Sequence, residues 1–198
     1  MTMQAQSISA DEPHAGALPG DFAIWVFIFA ELLVFGILFL AYAFARSQHV
    51  ELFNASQLTL NRAAGLANTL VLITSSYFAA RAVAAIKLGQ ARACAHWLLG
   101  TLGLGGVFIV IKLAEFHAKF SAGISLSTNT FYMFYLSLTM FHFMHVLLGM
   151  VILAVVMHKA RRGAYSAAEH TGVETGASYW HMVDLVWIVL FALVYIIR

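Results

Sequence analysis

The sequence has little charge, a single cysteine and very few prolines. Lys, Arg, Asp and Glu make up 10% of its 198 residues, whereas soluble domains are usually about a quarter charged. The net charge of +2 comes without a basic run, which argues against a nucleic-acid partner. Cys94 is the only cysteine, so an internal disulfide and a cysteine-based metal site are excluded. Pro13 and Pro19 both precede the long hydrophobic stretches, so no predicted span is kinked by proline.

Apolar residues, in contrast, make up 62% of the chain and form stretches long enough to cross a bilayer. The sequence therefore predicts an all-α, polytopic membrane protein whose five transmembrane helices form one bundle. The predicted spans are residues 21–46, 64–87, 93–120, 129–159 and 177–197. Asp21 and the run 128–130 are candidate helix caps. Residues 1–20 form a polar tail that lacks the basic start and apolar core of a signal peptide.

The positions of Lys and Arg near the span ends predict the orientation. With the N-terminus inside, the inner loops hold Arg81, Lys87, Arg92, Lys159, Arg161 and Arg162. The outer side then holds Arg46, Arg62, Lys119 and Arg198. This bias predicts a cytoplasmic N-terminus and a periplasmic C-terminus. Arg161 and Arg162 are also candidates for binding anionic lipid headgroups.

Ionisable residues interrupt four of the five spans. These residues are Glu31, then Lys112, Glu115 and His117, then His142 and His145, and finally His181 and Asp184. A charge in hydrocarbon is costly, so such side chains face a bundle interior, a partner or water. Residues three apart share one helix face. We therefore expect these side chains to meet partners on neighbouring helices.

Three interpretations of these residues remain open at the level of the sequence. Carboxylates and histidines at helical spacing suit a zinc or non-haem iron site, but no Glu precedes a His at the Glu-x-x-His spacing. The spans also place His142 and His145 about 10 Å away in depth from His181 and Asp184. A proton- or metal-linked carrier acting alone is the second interpretation, although broken helices and internal repeats are typical of carriers. The third is structural, with hydrogen bonds that fix the bundle and complete a surface for a larger subunit.

Several other patterns have simpler interpretations. Glu115 and Lys119 have the i, i+4 spacing of an ion pair that neutralises a helix end. The three-residue spacing of Gly100, Gly103 and Gly106 predicts a smooth stripe against a closely packed neighbour. Aromatic residues near the span ends are typical of the membrane–water interface, and this group comprises Tyr132, Tyr135, Tyr179 and Trp180.

Five motifs, in order, resemble the subunit III family of haem–copper respiratory oxidases. The final stretch SYWHMVDLVWIVLFALVYI resembles the last helix of that family, and FHFMHVLLGMVIL resembles its Phe-His-x-x-His-Val-x-x-Gly helix. Similar helix motifs are KLAEFHAKF, LANTLVLITSSYF and WVFIFAELLVFGILF. The larger form of the family has seven helices, and this chain is expected to lack the first two. Five-helix forms occur among quinol-oxidase subunits and in a branch encoded with nitric oxide reductases. The opening LPGDFAIWVFIFAELLVF and the later run NTLVLITSS are most similar to the reductase-associated branch.

The resemblance implies an accessory subunit that is not an enzyme on its own and binds no metal or other cofactor. It would belong to a respiratory terminal oxidase or a nitric oxide reductase in the bacterial inner membrane, in the electron transport of aerobic respiration or denitrification. The implied partners are membrane lipids and catalytic subunit I, which carries haem, with copper or non-haem iron as further candidates. Glu31 matches the family's buried carboxylate on the proton-uptake side. The matching positions for an interhelical polar network are Glu115, His142, His145, His181 and Asp184.

Overall fold

The computed structural model describes residues 19–197, so the predicted polar tail lies outside the described residues except for Pro19 and Gly20. Five of its helices are long and apolar enough to cross a membrane, which confirms the predicted all-α, five-span fold class. The elements are α1 (Phe22–Gln48), α2 (Val50–Gln57), α3 (Arg62–Lys87), α4 (Ala91–Ser121), α5 (Thr130–Arg161) and α6 (Thr171–Phe191), and a π-helical segment (Ala192–Ile196) continues α6.

Asparagine and aspartate side chains set the starts of three helices. The Asp21 carboxylate accepts a hydrogen bond from the Ala23 amide, and the Asn129 side chain accepts one from the Tyr132 amide. Both caps are predicted from the sequence. Asn61 caps α3 in the same way. Each side chain satisfies an amide that the first helical turn leaves without a backbone partner.

Two helical regions extend beyond what hydropathy predicts. The helix α6 starts at Thr171 rather than at residue 177, and its first turn contains Glu174. The short helix α2 lies within the connection between the first two spans and has a polar sequence, VELFNASQ. The helix α2 has 8 residues, too few to cross a membrane, whereas the first turns of α6 are a polar extension of an apolar helix.

Four long helices form a ring in which α3, α4, α5 and α6 each pack against the next, and α6 closes back onto α3. Neighbours in the ring run in opposite directions. The helix α1 lies outside the ring against α5 and α6. It buries a narrow stripe of Ile28, Phe35 and Tyr42. We call the end where α1 and α6 begin the proximal end, and the opposite end, where α2 lies, the distal end.

The centre of the ring is filled by Trp180 of α6. Its indole Nε1 donates to the Ser75 hydroxyl at 3.1 Å. A Cβ atom at Gly105 or Gly149 would come within 3.0 or 2.9 Å of this ring, so both glycines make room for it. The predicted glycine stripe of α4 packs closely against a neighbour at only one of its three positions. Gly100 packs against Phe78, whereas Gly103 and Gly106 face open space.

Candidate functional site: polar contacts inside the bundle

Glu31 of α1 meets His145 of α5. The Glu31 Oε2 and His145 Nε2 atoms are 3.0 Å apart. The other ring nitrogen, Nδ1, lies 2.8 Å from the Phe141 carbonyl oxygen, which can only accept, so Nδ1 carries a proton. The Nε2 contact needs one further proton, which resides on the ring or on the carboxyl. The two side chains therefore share a proton.

This pair lies at the edge of the bundle, where α1 covers α5. The side chain of His145 is 10% exposed and that of Glu31 is 20% exposed. The rings of Phe35 and Phe141 flank the imidazole, with centroids 5.2 and 4.6 Å away. The Tyr179 hydroxyl donates to the His145 carbonyl oxygen at 3.3 Å. Aromatic packing thus holds the imidazole in place while the carboxyl keeps partial access to the surroundings.

His181 and Asp184 of α6 both lie beside Ser76 of α3. The His181 Nδ1 atom makes a hydrogen bond with the Ser76 hydroxyl, and the same serine neighbours the Asp184 carboxyl. Asp184 is buried, and neither of its carboxyl oxygens has a hydrogen-bond partner among residues 19–197. The three-residue spacing thus places both side chains on one seam, beside the same serine of α3.

Lys112 and Glu115 form the centre of a buried cluster near the distal end. Lys112 Nζ donates to Glu115 Oε2 at 2.8 Å and to the Tyr195 hydroxyl at 3.0 Å. The hydroxyls of Tyr135 and Tyr195 donate to Glu115 Oε1 at 2.8 and 2.7 Å. The cluster therefore joins α4, α5 and the π-helical segment. The expected Glu115–Lys119 pair is wrong, because Lys119 instead donates to the Thr59 carbonyl oxygen at 2.8 Å.

His142 packs between aromatic rings. Its ring centroid lies 5.1 Å from that of Trp187 and 5.7 Å from that of Phe108. Neither ring nitrogen has a hydrogen-bond partner in the part of the chain that the structure describes. The ring therefore fills space between α4, α5 and α6.

The residues predicted as one polar network thus occupy separate places. Glu115 bonds to α5 and the end of α6, His145 to α1, and His181 to α3. Sequence reasoning missed the partners Ser76, Tyr135 and Tyr195. A hydroxyl at the right helix face is a signal for such partners, but it does not identify the helix that will be its neighbour.

Two other expectations change. His142 contacts Trp187, and the Tyr179 side chain reaches His145, so these histidines lie opposite the stretch of α6 that holds His181 and Asp184. The expected depth difference of about 10 Å is therefore wrong, because the antiparallel register of α5 and α6 was unknown from the spans. The four aromatics predicted to lie at the membrane interface are all buried inside the bundle: Tyr132, Tyr135, Tyr179 and Trp180.

The sequence also raised a metal site and a lipid-headgroup site at Arg161 and Arg162. Within residues 19–197, no three His, Cys, Asp or Glu side chains are grouped as a metal site would require. Arg161 and Arg162 are exposed at the proximal end of α5. Their role in binding lipid headgroups stays a prediction.

The fold and these contacts define a polytopic membrane protein in which several ionisable side chains, including Glu31, Glu115 and His181, bond to other helices of the same bundle. The chain belongs to the cytochrome c oxidase subunit III family, whose sequence model matches residues 15–198. A relative from Thermostichus vulcanus named cytochrome c oxidase subunit 3 is 36% identical, over 99% of this chain and 97% of the relative. A Synechocystis protein of the same name is 34% identical, over 89% of this chain and 75% of the relative.

A more distant relative carries a different name. The cytochrome bo(3) ubiquinol oxidase subunit 3 of Buchnera aphidicola is 22% identical, over 88% of this chain and 85% of its own length. The T. vulcanus relative, of nearly the same length as this chain, is named as a cytochrome c oxidase subunit. The assignment to the branch encoded with nitric oxide reductases, which is based on the opening segment, stays a prediction.

Proposed function

We propose that this chain is a non-redox accessory subunit of a haem–copper terminal oxidase in the bacterial inner membrane. It would bind the haem-bearing catalytic subunit I, stabilise it and support its proton uptake. The observation that carries the proposal is the family match over residues 15–198. The internal bonding of Glu115, His145 and His181 supports it, because these side chains hold the bundle together.

The pair of Glu31 and His145 supports the proton-linked part of the proposal. The two side chains share a proton and are partly exposed at the edge of α1. A carboxyl that is partnered by an imidazole can pass a proton without leaving an isolated charge in the membrane. We therefore assign the proton-linked role to the pair rather than to Glu31 alone.

The relatives also bear on the choice of electron acceptor. Those compared above are named as subunits of cytochrome c oxidase and of ubiquinol oxidase. Their names favour an oxygen-reducing complex, with haem and copper in its catalytic subunit. The resemblance of the opening segment to the reductase-associated branch makes a nitric oxide reductase, with haem and non-haem iron, the second candidate.

Affinity purification of the tagged chain from native membranes in mild detergent tests the proposal. We expect a large polytopic partner in the eluate with the optical spectrum of haem, and the haem type separates an oxidase from a reductase. An intact chain that elutes without haem, and that transports protons or metal ions alone in liposomes, would overturn the proposal in favour of an independent carrier.

A further inference from the structure

A crevice between α3 and α6 opens at the proximal end of the bundle. Lys87 and Glu174 lie at its mouth, and Ser178 and His181 line it further in, opposite Ala80. Its volume is about 220 Å³. One water molecule occupies about 30 Å³ in the liquid, so several would fit. Because His181 and Ala80 are exposed, the crevice is a groove along the outer face of the bundle, with charged groups at its mouth and polar groups at membrane depth.

An unpartnered carboxyl lies just beyond the inner end of this crevice. Asp184 is one helical turn past His181, about 5 Å deeper along α6. It is 4% exposed, and both of its oxygens lack a hydrogen-bond partner among the described residues. A buried carboxyl in this condition costs several kcal/mol unless water or a proton satisfies it.

The surroundings of Asp184 suit a bound water molecule. The His181 ring lines the crevice and bonds to the Ser76 hydroxyl, and this serine in turn neighbours the carboxyl. A water molecule here would have the carboxyl, the hydroxyl and the ring as partners, within the usual range of two to four. Ser76 and His181 therefore form a polar passage rather than an apolar seal.

Titratable groups on the other helices packed against α6 do not compete for this carboxyl. Glu31 of α1 and His145 of α5 bond to each other. His142 of α5 stacks on Trp187 and Phe108. On the α3 side, Lys87 pairs with Glu174 at 2.8 Å. The passage at Ser76 is thus the polar route to Asp184 that the described contacts leave open.

We propose that the crevice between α3 and α6 is a water-filled inlet, and that it connects the proximal membrane surface with Asp184 as a proton-binding group. Water is the ligand of the inlet, and the Asp184 carboxyl exchanges its proton with the aqueous phase through Ser76 and His181. This inference does not depend on the accessory-subunit proposal, because every residue involved belongs to this chain.

Cysteine reactivity in the full-length chain tests the inlet. In a Cys94→Ala background, Ser178→Cys and Ser76→Cys are placed in the crevice and its passage. The matched control is Ile73→Cys, which lies one turn from Ser76 on α3 and is exposed on the outer face of the helix. A charged, membrane-impermeant methanethiosulfonate reacts with thiolates, which form only where water reaches the thiol.

We expect both crevice cysteines to react at least about ten-fold faster than the control. Reaction in either sealed vesicle orientation supports the inlet, and the reactive orientation identifies the compartment to which it opens. Equal, slow reaction of Ser76→Cys, Ser178→Cys and Ile73→Cys would overturn it. If Ser76→Cys does not accumulate in membranes, Ser178→Cys carries the same comparison.

Infrared spectroscopy tests the proton-binding group separately. We expect a carboxylic acid C=O band that disappears in Asp184→Asn and shifts within minutes of transfer to D₂O. The paired change of Ser76→Ala and His181→Phe is expected to slow that shift, because it replaces the passage with apolar groups. A band that does not shift, or that shifts equally fast in the double variant, would contradict the inlet.

Discussion

Lys112 is a charged residue that water does not reach. Its side chain is 0% exposed, and its Nζ atom lies 5.1–5.6 Å from the ring centroids of Phe116, Tyr135, Trp187 and Tyr195. Aromatic faces attract a cation, and Glu115 supplies the opposite charge. The cluster therefore satisfies every charge that it buries, which is the condition under which buried ion pairs persist.

Replacing one member of this pair is expected to cost more than replacing both. Glu115→Gln leaves the Lys112 ammonium without its counter-charge, and we expect a loss of about 3–5 kcal/mol in the free energy of unfolding. The combined Lys112→Met and Glu115→Gln variant is expected to lose less, because Tyr135 and Tyr195 can still donate to the amide oxygen. Unfolding in mixed detergent micelles measures the difference.

Lys119→Met is the matched control for this experiment. Lys119 lies on the same helix near the distal end, but it donates to a backbone carbonyl near the surface. We expect a change below about 1 kcal/mol. A double variant that is at least as unstable as Glu115→Gln alone would contradict this dependence between the two charges.

The sequence predicts which residues are unusual but not their partners. Glu31, Glu115, His145 and His181 stand out because ionisable groups are rare in apolar stretches. Their partners include Ser76, Tyr135 and Tyr195, which are ordinary residues in such stretches. Which of these residues becomes a partner depends on helix rotation and register, and the hydropathy pattern does not specify either.

At the scale of the element, α2 and the end of α6 form one unit. The π-helical segment ends the chain's last helix, so the backbone carbonyls near the distal end have no amide partner within that helix. The buried Gln57 amide of α2 donates to the carbonyls of Val194 at 2.8 Å and Ile197 at 2.9 Å. The Tyr42 hydroxyl donates to the Leu193 carbonyl at 3.3 Å. A side chain of the short polar helix α2 thus satisfies the carbonyls at the end of the long apolar helix.

Gln57→Leu is expected to release this helix end. The variant removes the donor to several buried carbonyls, and we expect a loss of about 1–3 kcal/mol in the free energy of unfolding. Hydrogen exchange should speed up at the amides of residues 193–197. Gln48→Leu, at the exposed end of α1, is the control and should leave this exchange unchanged. Equal exchange in both variants would contradict the role of Gln57.

The long helices are predictable because each is a continuous apolar stretch, and the caps at Asp21 and Asn129 have short polar side chains at helix starts. The helix α2 is not predictable in the same way. Its sequence has only Phe53 as a fully buried apolar residue, and its place depends on the carbonyls of a helix more than a hundred residues later. Local sequence carries no signal for such a contact.

At the scale of the whole molecule, Glu174 connects three parts of the chain at the proximal end. Its carboxylate accepts from the Gly20 amide at 3.0 Å and pairs with Lys87 at 2.8 Å. His170 Nε2 lies 3.4 Å from the same carboxylate. The starts of α1 and α6 are thereby joined to the end of α3. Because Lys87 is half-exposed, salt can screen part of this contact.

Glu174→Ala is expected to lower the free energy of unfolding by about 1–3 kcal/mol. The difference between the variant and the wild-type protein should shrink as salt is added, because salt weakens the contact between Lys87 and Glu174 that the variant lacks. Unfolding at low and high ionic strength measures both effects. Glu169→Ala, in the exposed connection before α6, is the control. Equal stability of the two variants would show that Glu174 does not join these elements.

The long sequence separation between α1 and its bonding partner on α5 has a consequence for the biosynthesis of the protein. The bonding partner of Glu31 is His145, 114 residues further along the chain, and synthesis proceeds at roughly 5–20 residues per second. At that rate, roughly 6–23 s pass between the synthesis of Glu31 and that of His145. During that interval, Glu31 enters the membrane without its native neighbour. The contact with His145 therefore cannot offset the cost of placing this carboxyl in the membrane during that interval.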